Sequence, residues 1–183
     1  PDYPRRVLLA VSGLSPQIVT ETLYALAVRT ERPWIPTEIL LLTTARGAEH
    51  ARLNLLSGDR WFGRLRADYG LPPIHFDADC IEVIRDATGA PLADIRSQAD
   101  NDATADALTE AVRALTADPD AALHVSIAGG RKTMGYYLGY ALSLFGRAQD
   151  RLSHVLVEDG FEGHPQFYYP SPSERVIHTL GPN

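Results

Sequence analysis

The chain is poor in the residue types that mark several large functional classes. It has one cysteine, Cys80, in 183 residues. A single thiol makes no internal disulfide and no cysteine-based zinc cage, and a reducing, cytoplasmic setting is expected. No apolar run reaches the about 18–20 residues that span a bilayer, so no membrane partner is expected. Pro1-Asp2-Tyr3-Pro4-Arg5-Arg6 leads through a short apolar run into polar Ser12-Gly13 rather than a cleavage site, which is not a secretory-signal pattern. Basic residues are outnumbered: 17 Lys and Arg stand against 23 Asp and Glu, for a net charge of −6. That argues against a broad basic face for long DNA or RNA. A small phosphate ligand held by a few local cations remains compatible. The histidines (His50, His75, His124, His154, His164, His178) show no i, i+4 pair and no metal-ligand spacing, so they read as structural or surface residues. No metal and no cofactor is expected.

Two nucleotide signatures are also missing. Gly129-Gly130-Arg131-Lys132-Thr133 has the cations of a Walker A loop but not its glycines: Arg131 precedes the lysine, and Ser126 stands six positions before it. No Gly-x-Gly-x-x-Gly dinucleotide fingerprint is present. The hydrolase elbow Gly-x-Ser-x-Gly fails at Gln17, two residues after Ser15.

What is present is a regular alternation of strands and helices. Arg6 to Val11 reads as a first, mostly buried strand, with Val7-Leu8-Leu9-Ala10-Val11 as its apolar run. Ser15-Pro16 reads as a helix start, with Ser15 as N-cap and Pro16 in the first position, and the helix continues to about Arg29. Glu38 to Thr43 is a second strand. Ala45 to Ser57 is helical, with a further short helix within Gly58 to Tyr69. Residues 74–95 read as a small β excursion: a third strand at Ile74-His75-Phe76, then either a hairpin over Cys80–Asp86, Thr88-Gly89 and Pro91–Ile95 or an irregular excursion. Asp100-Asn101-Asp102 caps a helix through Thr116, whose Ala105, Leu108, Val112 and Leu115 keep helical spacing. A strand over Leu123–Ala128 feeds a helix from Arg131 to Phe145. Ser153 to Val157 is another strand, and Arg175 to Thr179 a last one. The pattern is that of a single α/β domain over residues 1–183: a doubly wound, mainly parallel sheet with helices on both faces.

In such sheets ligands bind beyond the carboxyl ends of the strands, where the winding reverses. Two strand ends carry glycine and small polar residues: Ser12-Gly13, and Ala128-Gly129-Gly130. If those strands are neighbours, their loops share one crevice. A helix N-terminus beside a glycine turn attracts anions, because free N–H groups and the positive dipole end point the same way. Arg131 and Lys132 at that position oppose the dipole by a few tenths to about 1 kcal/mol each, which an anion offsets. Ser12 is consistent with an ordinary turn serine and with a ligand-facing hydroxyl. Thr43 and Thr44, ending the second strand, are consistent with ligand contact and with a helix cap. The aromatic residues Tyr136, Tyr137, Tyr140, Phe161, Phe167, Tyr168 and Tyr169 read first as core or dimer packing. Residues 159–173, rich in Gly, Pro and aromatics, and residues 58–68 are candidates for lid or dimer contacts.

With both strand ends quoted, the chain resembles the CRISPR-associated Rossmann-fold (CARF) proteins. The resemblance rests on Val11-Ser12-Gly13-Leu14-Ser15-Pro16-Gln17-Ile18-Val19-Thr20-Glu21-Thr22-Leu23 and Ser126-Ile127-Ala128-Gly129-Gly130-Arg131-Lys132-Thr133-Met134. It implies a Rossmann-like fold and a homodimer that binds cyclic oligoadenylate, the second messenger of type III CRISPR defence. A two-fold dimer presents each Arg131/Lys132 pair twice, matching the near-symmetric phosphates of cyclic tetra-adenylate. By the same resemblance Gly13, Ser15, Gln17, Thr43, Thr44, Ser126, Gly129, Gly130, Arg131, Thr133 and Met134 are ligand-binding candidates. Lys132 and Ser12 are the catalytic candidates of a stand-alone ring nuclease. That activity is metal-independent: the ribose 2′-oxygen attacks its own phosphorus and leaves a 2′,3′-cyclic phosphate. The alternatives are a sensor or binding domain that holds the ring uncut, as part of a larger effector, and an unrelated Rossmann-like mononucleotide enzyme.

Overall fold

The first strand, β1 (Arg5–Ser12), has its last six residues buried, and the alternation of its side chains sorts the core into two halves. A computed structural model describes residues 3–173 and 176–178 of the chain. Leu8 and Ala10 point to one face of the sheet. There they pack with Ile18, Val19 and Leu23 of α1 (Gln17–Ala27), Ala48 of α2 (Ala45–Ala51) and Trp61 and Leu65 of α3 (Trp61–Asp68). Val7, Leu9 and Val11 point the other way. They meet Leu108 and Val112 of α4 (Gln98–Thr116) and Met134 and Leu138 of α5 (Lys132–Phe145). A strand buried on both faces needs a continuous apolar run rather than strict alternation, which is what Val7-Leu8-Leu9-Ala10-Val11 supplies.

The other strands are β2 (Glu38–Thr43), β3 (Ile81–Val83), β4 (Ala121–Ser126) and β5 (Arg151–Ser153). All pairings are parallel and the order is β3-β2-β1-β4-β5. The chain winds outward from β1 through β2 to β3, then returns to lay β4 on the other side of β1. This is the α/β, Rossmann-like sheet expected, with helices on both faces. The winding reverses between β1 and β4, so the loops after these strands are neighbours.

Several boundaries differ from the sequence reading. Ser15 makes no capping hydrogen bond; Pro16 adopts helical angles itself, and the first turn closes from Val19 N–H to the Pro16 carbonyl at 3.1 Å. The helix expected over 45–57 ends at Ala51 and relaxes into a π-helical turn, Arg52–Ser57. His75 makes a single bridge to Glu38, not a strand. Asp77 ends that extended stretch by accepting the Asp79 and Cys80 N–H groups, and the true edge strand, β3, follows. The expected hairpin reduces to one bridge, Arg85 to Pro91, around a turn held by the Asp86 carboxylate. Ser97, not Asp100-Asn101-Asp102, caps α4; Asp100 is its capping-box partner. β4 starts and ends two residues earlier than expected, and β5 is confined to Arg151–Ser153. Val176–His178 is not a strand, and Arg175 and Thr179 lie outside the described residues.

The turn after β4 fixes two glycines by contact. A Cβ on Gly129 would stand 2.4 Å from the Val11 carbonyl oxygen and 2.8 Å from Ile18 Cγ1. Gly130 has φ +76°, and a Cβ there would lie 2.7 Å from Met134 Sδ. The Gly129 backbone is thus seated against the residues that flank the first loop, Val11 of β1 and Ile18 of α1. Gly129→Ala is expected to cost about 1–3 kcal/mol of unfolding free energy, the range for overpacking a close contact. Urea unfolding of variant and wild type measures it; an unchanged midpoint would show that the two loops are not wedged together.

Candidate functional site

Beyond the ends of β1 and β4 lies a cleft of about 560 Å³. The first loop supplies Ser12, Gly13, Ser15 and Gln17, and the second supplies Gly129, Gly130 and Arg131, with Met134 beneath them. Thr44 also reaches the rim. Thr43, Ser126, Lys132 and Thr133 do not line it. The two corners singled out from sequence therefore share one hollow, and the floor explains the rest. Ser12 is fully buried; its Oγ donates to Thr43 Oγ1 at 3.3 Å, and Thr43 Oγ1 donates to the Ser12 carbonyl at 2.7 Å. Ser126 Oγ pairs with Thr22 Oγ1 at 3.1 Å beneath the second loop. Thr44 caps α2 through the Gly47 N–H. Thr43 and Ser126 thus hold the strand ends in place from below, while Ser12 belongs to both floor and cleft.

The cations divide. Arg131 borders the cleft but is turned to Asp94, 3.0 Å away. Arg96, the Ile95 N–H and Arg131 together hold the Asp94 carboxyl down to about 2, so Asp94 stays ionised and competes with any anion for Arg131. Lys132 opens α5, is exposed, and has no hydrogen bond or ion pair among the described residues. No side chain caps the α5 N-terminus, and its first turn holds no acidic residue. Lys132 is also the only lysine of the chain, which sets it apart in the sequence itself.

Glu21 was missed from sequence. It lies one turn after Gln17 on α1, borders the cleft, and is 8% exposed. It has no hydrogen-bond partner among the described residues. Burial, and secondarily the Glu162 charge, push its carboxyl up to about 7. Gln17 Nε2 makes a long 3.4 Å contact to the His164 carbonyl, and its Oε1 is buried without a partner. The i, i+4 spacing of Gln17 and Glu21 on α1 was the available clue.

The aromatic tail is anchored rather than loose. Tyr168 stacks on Trp61 with ring centres 4.8 Å apart, Tyr169 donates to Asp68 at 2.8 Å, and Tyr69 donates to the Pro170 carbonyl at 2.6 Å. This pins 159–173 over α1 and α3. Glu162 and Gly163 border the cleft, and Phe161 and Phe167 line an adjoining cavity of about 360 Å³. Two histidines are structural. His124 packs on Trp34, and burial first, then Arg151, lowers it to about 4. His164 accepts the Gln166 N–H at Nδ1, which leaves Nε2 to donate to the His178 carbonyl. His75, Asp77 and Cys80 bring three donor atoms within 4.8 Å of one another, the one such group among the described residues. Asp77 there is already used as a turn cap, and none of the three borders the cleft.

Sheet order and a cleft at the point where the winding reverses define a Rossmann-like α/β protein. Residues 15–183 match the family model described as CRISPR-associated protein NE0113 (Cas_NE0113); the match takes in the Gly129-Gly130-Arg131 turn and begins just after Ser12-Gly13. The chain belongs to this CRISPR-associated family. No curated protein matches it.

Proposed function

We propose that the chain is a CARF-type ring nuclease, which binds cyclic oligoadenylate, with cyclic tetra-adenylate the favoured ring, and cuts it without metal. The observation that carries this reading is the convergence of the Ser12-Gly13 and Gly129-Gly130-Arg131 corners on one cleft, in a chain of a CRISPR-associated family. Backbone N–H groups at the uncapped start of α5 offer donors to phosphate oxygens. Arg131 and Lys132 add charge, and Gly13, Ser15 and Gln17 form the facing wall. In the reaction the ribose 2′-oxygen attacks the adjacent phosphorus in line, and the 5′-oxygen leaves. The protein's part is to orient the sugar and to stabilise charge on the phosphoryl oxygens. In this reading Lys132 serves the second task and Ser12 the first.

A homodimer is part of the reading. Tyr136, Tyr140 and Leu144 form an exposed stripe along α5, with Tyr136 66% exposed, beside the exposed Leu152 of the edge strand β5. Such a face fits a second copy of the chain, and a two-fold partner doubles the cations at the ring. One specific observation favours the binding-only alternative: Lys132 does not border the cleft of a single chain, and Arg131 is held by Asp94. Incubation with cyclic tetra-adenylate in excess EDTA separates the two. Linear product with a 2′,3′-cyclic phosphate end supports cleavage; tight binding by calorimetry with the ring intact supports sensing.

Asp94 is a built-in competitor for the ligand. Asp94→Asn is expected to strengthen ring binding by several-fold, because it frees Arg131 for a charge-assisted contact to phosphate. Calorimetry at low salt reads the change; weaker binding would mean that Asp94 positions Arg131 rather than competes for it.

A further inference from the structure

Two cavities meet at Glu21. The cleft lies on one side of it and the smaller, aromatic-lined cavity on the other, with Val155, Leu156 and Val157 completing the shared wall. A nucleotide has three parts in fixed order: phosphate, ribose, base. A phosphate at Gly129-Gly130-Arg131 directs the base through that wall to Tyr24, Phe161, Phe167 and Tyr169, which line the second cavity. Aromatic side chains accept bases by stacking. The ribose then crosses at Glu21. Buried polar groups are almost always paired, yet Gln17 Oε1 is buried without a partner, and one turn on the Glu21 carboxyl faces the cavities with no hydrogen bond or ion pair among the described residues. Both are more than nine-tenths buried. Two unpaired groups at a junction between cavities suit a ligand that supplies the missing contacts.

We propose that the aromatic cavity is a base subsite and that the Glu21 carboxylate is the general base that takes the ribose 2′-hydroxyl proton. This rests on the ring-cleaving reading above. The step balances with solvent water as the only co-reactant. The proton on O2′ passes to a Glu21 carboxylate oxygen, the O2′–P bond forms, and the P–O5′ bond breaks. The leaving 5′-oxygen takes a proton from water, so the products are a 2′,3′-cyclic phosphate and a 5′-hydroxyl.

A carboxyl poised near neutral pH suits this task, since a base works best when its pKa lies close to the working pH. Glu21 stands at about 7. The ionisable groups around it are Glu162 and Glu158 from the C-terminal segment and His154 after β5. Tyr24 and Arg29 lie along the same helical stretch, and Tyr169 lies across the aromatic cavity. Arg131, Asp94 and Arg46 border the far side of the cleft. Burial raises it first, and of these groups Glu162 adds to the rise. His154 is the other candidate base at the cleft, so the test must separate the two.

The experiment is single-turnover cleavage of cyclic tetra-adenylate by the full chain in EDTA from pH 5.5 to 8.5, with affinity measured in parallel. The wild-type rate is expected to rise about tenfold per pH unit below neutrality and then level off. Glu21→Gln should be about a hundredfold slower or more and flat with pH, with affinity changed far less than rate. Phe167→Ala should weaken binding about tenfold without moving the pH profile, as loss of one stacked base predicts. A Glu21→Gln protein that keeps the wild-type rate or profile overturns the base assignment and points to His154. Unchanged affinity in Phe167→Ala overturns the base subsite. A wild type that cuts no ring at any pH overturns the ring-cleaving reading itself, a result distinct from failure confined to either variant.

Discussion

Lys132→Ala is expected to slow ring opening by about a hundredfold or more, the usual loss when one preorganised donor to transition-state charge is removed. Lys132 is the only ammonium side chain in the protein. It stands at the start of α5, beside Arg131, where a bound phosphate would be closest to the helix N-terminus. Being exposed and unpaired among the described residues, it makes no contact that holds the fold. Its charge opposes the α5 dipole, so the variant should be as stable as wild type or more stable by up to about 1 kcal/mol, and a slower rate reports on chemistry. Lys132→Arg should not restore the rate fully, because a planar, larger guanidinium does not replace a compact point charge. Single-turnover cleavage of cyclic tetra-adenylate measures both variants. Equal rates for Lys132→Ala and wild type would remove Lys132 from the reaction.

Glu21→Gln should stabilise the protein at alkaline pH and not at acid pH. The Glu21 carboxyl is raised from 4.5 to about 7 in the folded chain, by burial first and by Glu162 second. A group whose folded pKa is raised has its stability contribution in full below the unfolded value, and loses it as pH climbs through the folded value. Between about pH 4.5 and pH 7 the wild type is therefore progressively destabilised, because ionisation is easy in the unfolded chain and opposed in the buried, unpaired site. The loss reaches up to about 3 kcal/mol, since each tenfold change in acidity between the two states is worth roughly 1.4 kcal/mol. Glutamine has the same shape and no charge. Urea unfolding at pH 4.5 and pH 8 should show near-equal stabilities at the lower pH and a clear advantage for the variant at the higher one. The same difference at both pH values would mean that Glu21 is solvated or paired. A variant more stable and less active would place Glu21 among the groups that trade stability for function.

The parts legible in the sequence were those governed by local rules. Val7 to Val11 and Ile39 to Leu42 are apolar runs that only a doubly covered parallel strand accommodates, and both are β1 and β2 as found. Leu108, Val112 and Leu115 keep helical spacing, and all three are buried on α4. Gly129-Gly130 announced a tight turn, and the contacts to Val11, Ile18 and Met134 explain it. What could not be read depended on residues far apart in the chain. Asp94 reaches Arg131 across 37 positions. The stacking of Tyr168 on Trp61, which turns an apparently irregular tail into a wall of two cavities, has no local sequence pattern. Glu21 reads as an ordinary helix glutamate until the tail covers it. β3 was misplaced because a three-residue edge strand carries less signal than the apolar Ile74-His75-Phe76 before it, and the Asp77 turn cap decides between them.

Amide hydrogen exchange with and without cyclic tetra-adenylate tests the central claim most directly, because it reports where the ring sits. Slowed exchange at both corners, residues 12–17 and 129–134, is the predicted result, with little change around β3. Protection at only one corner, or none at either with the ring demonstrably bound, would contradict a shared nucleotide cleft.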